Sequence, residues 1–115
     1  MDRHGLKKIS DAVIRAEEEI TRHTSEEILA NALDRIKVMK HSKDFGMTVK
    51  RSKSGMVKDE AKKMKDKLED KKMLLSPIMI KASSYALSVM ACNSVMGTIV
   101  AAPTAGSSGI IPGAL

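Results

Sequence analysis

Thr104, Ser107 and Ser108 stand among Gly106, Gly109 and the prolines Pro103 and Pro112 in the string PTAGSSGIIPG, residues 103–113. Glycines let a backbone approach a ligand closely, and hydroxyls both donate and accept. Successive backbone N–H groups in such a turn form a concavity that holds a small anion. A helix starting after Gly109 would add partial positive charge at its N-terminus. The string is not a P-loop, because no Gly-Lys-Ser/Thr follows. A second hydroxyl–glycine group, Ser52, Ser54 and Gly55, is flanked by Lys50, Arg51 and Lys58. It could meet an anionic substrate, although such a loop is as readily a solvated turn.

Other chemistries lack their residues. His4, His23 and His41 are scattered, with no HExxH and no His/Cys ligand spacing, so no metal site is expected within this chain. Cys92 is the single cysteine, which excludes a disulfide framework and a CxxC pair. It reads as a buried structural thiol in a chain of the reducing cytoplasm. A serine triad lacks both a histidine partner and the GxSxG context.

The elements that must position these groups belong to a chain of 115 residues, one small domain or a piece of a larger one. The core must be aliphatic and rich in methionine, because nine Met accompany only two aromatics, Phe45 and Tyr85. The composition favours helix. The net charge is +6, and Lys81 is the last charged residue. The two signs interleave, as in KKMKDKLEDKK at residues 62–72, which reads as a solvated helix face. With so little aromatic stacking surface, nucleic-acid binding is not expected. Residues 1–8 are polar and no apolar run follows, so they do not read as a secretory leader. Residues 82–102 could span a bilayer by length, but Ser83, Ser84, Ser88, Asn93, Ser94 and Thr98 make them a buried core helix instead.

Leu6, Ile9, Val13, Ala16 and Ile20 follow 3–4 spacing and predict an amphipathic helix over about residues 6–22. Thr24 and Glu27 form a capping-box pattern that opens a second helix, with Gly46 as its stop. A polar loop follows at 46–56, then a charged third helix carrying Val57, Ala61, Met64 and Leu68 to about Lys72. Pro77 with Ser76 as N-cap opens a fourth helix that ends near residues 97–103. Ile110 reads as the start of a fifth. The expectation is an all-α fold of about four helices plus the start of a fifth. It divides into a helical pair at 1–45, the loop at 46–56 and the remainder at 57–115. The apolar ending at Leu115 reads as a chain still entering its core, and so as a fragment of a larger helical catalytic domain.

The segment NSVMGTIVAAPTAGSSGIIPGAL, residues 93–115, resembles the alpha chain of the iron–sulfur-dependent L-serine dehydratases. Their motif is matched by Asn93, Met96, Gly97, Ile99, Ala101, Pro103, Thr104, Ala105, Gly106, Ser107, Gly109, Pro112 and Gly113. SPIMIKASSYALSV at 76–89 resembles the helix leading to it, and Ser52, Ser54, Gly55 and Ala61 resemble an upstream family loop. Where the family has Gly-Gly-Asp, this chain has Lys58-Asp59-Glu60. The resemblance implies a cytoplasmic lyase of amino-acid catabolism and gluconeogenesis that turns L-serine into pyruvate and ammonia. It implies a [4Fe–4S] cluster in the complete enzyme, with its cysteine ligands outside this chain. It also implies a beta chain or beta domain as partner, and an oligomer. Thr104, Gly106, Ser107 and Ser108 would hold the substrate carboxylate, with Ser54 and Gly55 as a second group. The catalytic base stays unassigned. A related L-cysteine desulfidase-type lyase and a non-catalytic helical interaction fragment are the alternatives.

Overall fold

The computed structural model describes residues 8–69 and 75–115. The expected start of the first helix, at Leu6, and the end of the third, at Lys72, lie outside the described residues. The fold is all-α: α1 (Ile9–Thr21), α2 (Ser25–Thr48), α3 (Glu60–Asp66) with a 3₁₀ turn (Lys67–Glu69), α4 (Pro77–Ser94) and α5 (Ala105–Ala114). Among the described residues the only strand-like feature is an isolated antiparallel bridge, Arg51 to Lys58. No described helix is long and apolar enough to cross a membrane. The chain divides into two compact units, one ending at Arg35 and the other Ile36–Leu115.

The first unit is held by local backbone chemistry. Arg22 adopts the left-handed conformation at φ 59° and its N–H bonds to the Glu18 carbonyl, which ends α1. The capping box opens α2: Thr24 N–H donates to Glu27 Oε2 at 2.9 Å, and Glu27 N–H donates to Thr24 Oγ1 at 3.3 Å. No residue of α1 is buried. Its apolar stripe stays open, with Ile9 86% and Ile20 77% exposed.

The second unit is built on α4, against which α3 and α5 pack. Its largest fully buried side chains among the described residues are Ile80, Val89 and Cys92, with the small Ser42, Ser84 and Ser88. The buried serines are tolerated because each spends its hydroxyl on a carbonyl. Ser42 bonds to Met39 O and Ser84 to Lys81 O, both at 2.8 Å, and Ser88 bonds across to Lys43 O. Small side chains let backbones approach. A Cβ on Gly46 would fall 1.7 Å from the Ser88 carbonyl oxygen, so Gly46 seats α2 against α4. It does not stop the helix, contrary to the sequence reading, and α2 continues to Thr48.

The entry and exit of α4 are resolved locally. Ser76 caps it by accepting from Met79 N–H at 3.4 Å, with Pro77 in the first turn. At the far end Gly97 N–H bonds to Cys92 O at 2.9 Å and Met96 N–H to Asn93 O at 3.0 Å. That pair is the Schellman pattern, and the left-handed position falls to Met96 at φ 64°. Gly97 is reserved for another constraint, since a Cβ there would meet Cys92 Sγ at 2.4 Å.

Candidate functional site

Residues 104–109 form the first turn of α5, not a separate turn ahead of it. The sequence reading started the fifth helix at Ile110, whereas it begins at Ala105. Thr104 is its N-cap, with extended φ −130° and ψ 155°. The hydroxyls build the cap. Ser107 N–H donates to Thr104 Oγ1 and Thr104 N–H donates to Ser107 Oγ, each at 3.1 Å. Thr104 Oγ1 donates to Ser107 Oγ at 2.9 Å, and Ser107 Oγ donates to the Thr104 carbonyl at 2.8 Å. Ser108 is 5% exposed. Its Oγ accepts from Ala102 N–H at 3.0 Å and donates to Thr104 O at 3.2 Å, tying the incoming strand of chain to the helix.

This cap leaves two donors. Ser107 N–H is taken by Thr104 Oγ1 and Ser108 N–H by Thr104 O. The N–H groups of Ala105 and Gly106, the first two helical positions, have no intrahelical acceptor. Gly106 is exposed, and a Cβ built on it meets nothing within 4 Å. The first turn carries no acidic residue, and no charged residue follows Lys81 in the sequence, so α5 itself supplies no anion to the positive end of its dipole. The arrangement can accept a small anion on two N–H groups.

Ser54 and Gly55 lie in a different loop, closed on itself. Ser52 N–H bonds to Val57 O at 2.8 Å, Val57 N–H bonds back to Ser52 Oγ at 3.2 Å, and Ser52 Oγ meets Ser54 Oγ at 3.0 Å. Gly55 is left-handed at φ 73°, under the Arg51 guanidinium, and its N–H bonds to Ser52 O. Among the described residues no hydrogen bond joins this loop to the start of α5. Lys58 and Asp59, which stand where the resemblance implies two glycines, do not have positive φ, so neither carries left-handed backbone strain. Glu60 accepts from Lys58 N–H at 2.7 Å. Asp59 pairs with Lys63 at 2.8 Å, which lowers its carboxyl below the usual range.

Cys92 is 1% exposed, and burial pushes its thiol pKa up. Its Sγ makes one weak contact, 3.7 Å to Thr98 O. Among the described residues no three His, Cys, Asp or Glu side chains converge to hold a metal.

The motif lies inside a longer match. Residues 4–115 match the family described as serine dehydratase alpha chain. The probable L-serine dehydratase alpha chain of Bacillus subtilis (strain 168) is 36% identical over 107 residues, covering 93% of this chain and 36% of that protein. The L-serine dehydratase alpha chain of Peptoniphilus asaccharolyticus is 40% identical over 111 residues, covering 94% of this chain and 37% of that one. The chain therefore spans little more than a third of these curated relatives. No solved structure matches it. The family match covers every described residue, from α1 to the end of α5, and the chain belongs to the serine dehydratase alpha chain family.

Proposed function

We propose that this chain is part of an L-serine dehydratase, a lyase that converts L-serine to pyruvate and ammonia. The observation that carries the reading is the family match over residues 4–115, which includes the motif at the start of α5. The chain's own task is to hold the substrate carboxylate. Its contacts are the N–H groups of Ala105 and Gly106, with Thr104 and Ser107 beside them. Ser108 keeps the turn in register from below. Ser54 and Gly55 are the second group. What supports this is that Thr104 and Gly106 are exposed and that the first turn of α5 carries no acidic residue. The alpha chain works with a beta chain or beta domain, in a cytoplasmic oligomer, in amino-acid catabolism.

An iron–sulfur cluster comes with the family resemblance, and the residues of this chain do not fit one. Such clusters are held by cysteine thiolates. Cys92 is the only cysteine, and it is buried and held as the thiol. The cluster's ligands belong to the remainder of the complete enzyme.

The test uses that complete enzyme. Gly106→Ala and Ser107→Ala should each raise KM for L-serine about tenfold, a loss of about 1.4 kcal/mol of binding. Unchanged kinetics in both would remove the start of α5 from the site. Absence of pyruvate from the unsubstituted complete enzyme would overturn the activity itself. Turnover of L-cysteine measured beside L-serine decides between the two leaving groups.

A further inference from the structure

A hollow of about 310 Å³ opens in the first unit, between α1 and α2. Its apolar lining comes from both helices, Val13 and Ile14 of α1 and Ile28 and Ala32 of α2. Each helix also turns one charge to it, Glu17 from α1 and Arg35 from α2. On each helix these residues stand three or four positions apart, which puts the charge on the same face as its apolar neighbours. The size is at the lower end of small-molecule sites, about 300–1,000 Å³, and an apolar lining with a few convergent polar groups is their usual make-up.

The two charges are opposite in sign, yet they do not satisfy each other. Among the described residues no ion pair joins Glu17 and Arg35, and neither side chain has another partner. The remaining titratable group of the lining, His23, faces its own carboxylate: its Nδ1 lies 3.5 Å from Glu27 Oε2. Thr21 Oγ1 is also spent, since it donates to the Glu17 carbonyl at 2.8 Å. The Asn31 side chain lines the hollow one turn before Arg35 and makes no hydrogen bond among the described residues. One wall therefore offers a carboxylate, the other a guanidinium with an amide, and apolar side chains stand between them. A hydrocarbon would leave both charges unanswered, and a simple anion or cation would leave one. A zwitterion answers both with charge-assisted hydrogen bonds. An apolar group on that zwitterion also covers the aliphatic lining, of which Val13 is 60% exposed.

We propose that this hollow binds a free α-amino acid with an apolar side chain. Arg35 and the Asn31 amide hold its carboxylate, Glu17 holds its ammonium group, and its side chain lies on Val13, Ile14, Ile28 and Ala32. The substrate contacts proposed above all lie in the second unit, so this site does not depend on serine turnover. In equilibrium dialysis L-leucine should bind the complete enzyme saturably, and L-serine at the same concentration should not displace it. Isocaproate, which lacks the ammonium group, and isoamylamine, which lacks the carboxylate, should each bind more weakly than leucine. Glu17→Gln and Arg35→Gln, both at exposed positions, should each weaken leucine binding about threefold or more, with the far-ultraviolet circular dichroism unchanged. Ala32→Leu fills the hollow and should weaken binding with both charges in place. If one charge variant loses helicity, the other and Ala32→Leu decide. No saturable leucine binding, displacement by L-serine, either analogue binding as tightly as leucine, or an affinity unmoved by these variants would each overturn the proposal.

Discussion

Gly46 and Gly106 both lie in helices, yet they are glycines for different reasons. At Gly46 the Ser88 carbonyl occupies the space of a side chain. Alanine there gains about 1 kcal/mol of helix propensity but forces α2 off α4. Overpacking of this kind costs about 1–3 kcal/mol or more, so Gly46→Ala should lower the urea midpoint of the chain. At Gly106 the space is empty, and Gly106→Ala should leave stability unchanged or raise it by up to about 1 kcal/mol. A loss there would mean that a neighbouring part of the fold, not a ligand, demands the glycine. Cys92 is constrained in a third way. Burial favours its protonated form, so the fold carries a thiol at neutral pH and loses stability as pH rises beyond the ordinary thiol range. A thiol reagent should label Cys92 slowly in the native chain and at the rate of a free cysteine in denaturant. Equal rates would show that the thiol is open.

At the scale of elements, helix starts written by a local cap were legible, and boundaries set by packing were not. The Thr24–Glu27 box and the Ser76–Pro77 start are written within three or four residues of chain, and both stand where the spacing predicts. The Glu27 carboxyl is held below its ordinary range, first by the Thr24 backbone N–H and then by the Thr24 side chain. A depressed carboxyl contributes stability above its unfolded pKa and loses it as pH falls through the folded one. Acidification through and below the usual glutamate range should therefore fray the start of α2, seen as faster hydrogen exchange at Thr24. Glu27→Gln should flatten that dependence. Helix α5 was misread at its start because AGSSGIIPGA has three glycines, two serines and an internal proline, a sequence of low intrinsic helicity. Packing overrides the propensity. Gly109 and Gly113, four residues apart on one face, bring α5 onto Ala86 and Ala82 of α4, where a Cβ would meet carbonyl oxygens at 2.9 and 2.8 Å.

For the whole molecule, length decides what activity to expect. The chain covers 36% and 37% of the two dehydratase alpha chains it resembles. The carboxylate contacts proposed above lie within it, and its single cysteine makes no set of cluster ligands. Alone, under anaerobic iron–sulfur reconstitution, it should make no pyruvate from L-serine. Robust turnover by the isolated chain would overturn the division of labour proposed above. Its open surface is also apolar: Ile9, Ile20, Ile78 and Leu115 are each more than three-quarters exposed. Residues of that kind cover themselves by association.

The helical class, the two caps and the location of the hydroxyl–glycine cluster were determined by the sequence alone, because each depends on residues within one or two turns of one another. Tertiary structure decided what those groups do. It turned the hydroxyls of Thr104 and Ser107 inward as a cap, leaving backbone N–H groups as the free donors. It carried α2 through Gly46, because Ser88, 42 positions away, needs the room. It also brought Lys43 over Tyr85, a pairing that no local spacing announces, whereas its companion Lys81 stands a readable four residues before that ring. Contacts between distant segments depend on how closely two backbones can approach, and that distance is a property of both partners at once.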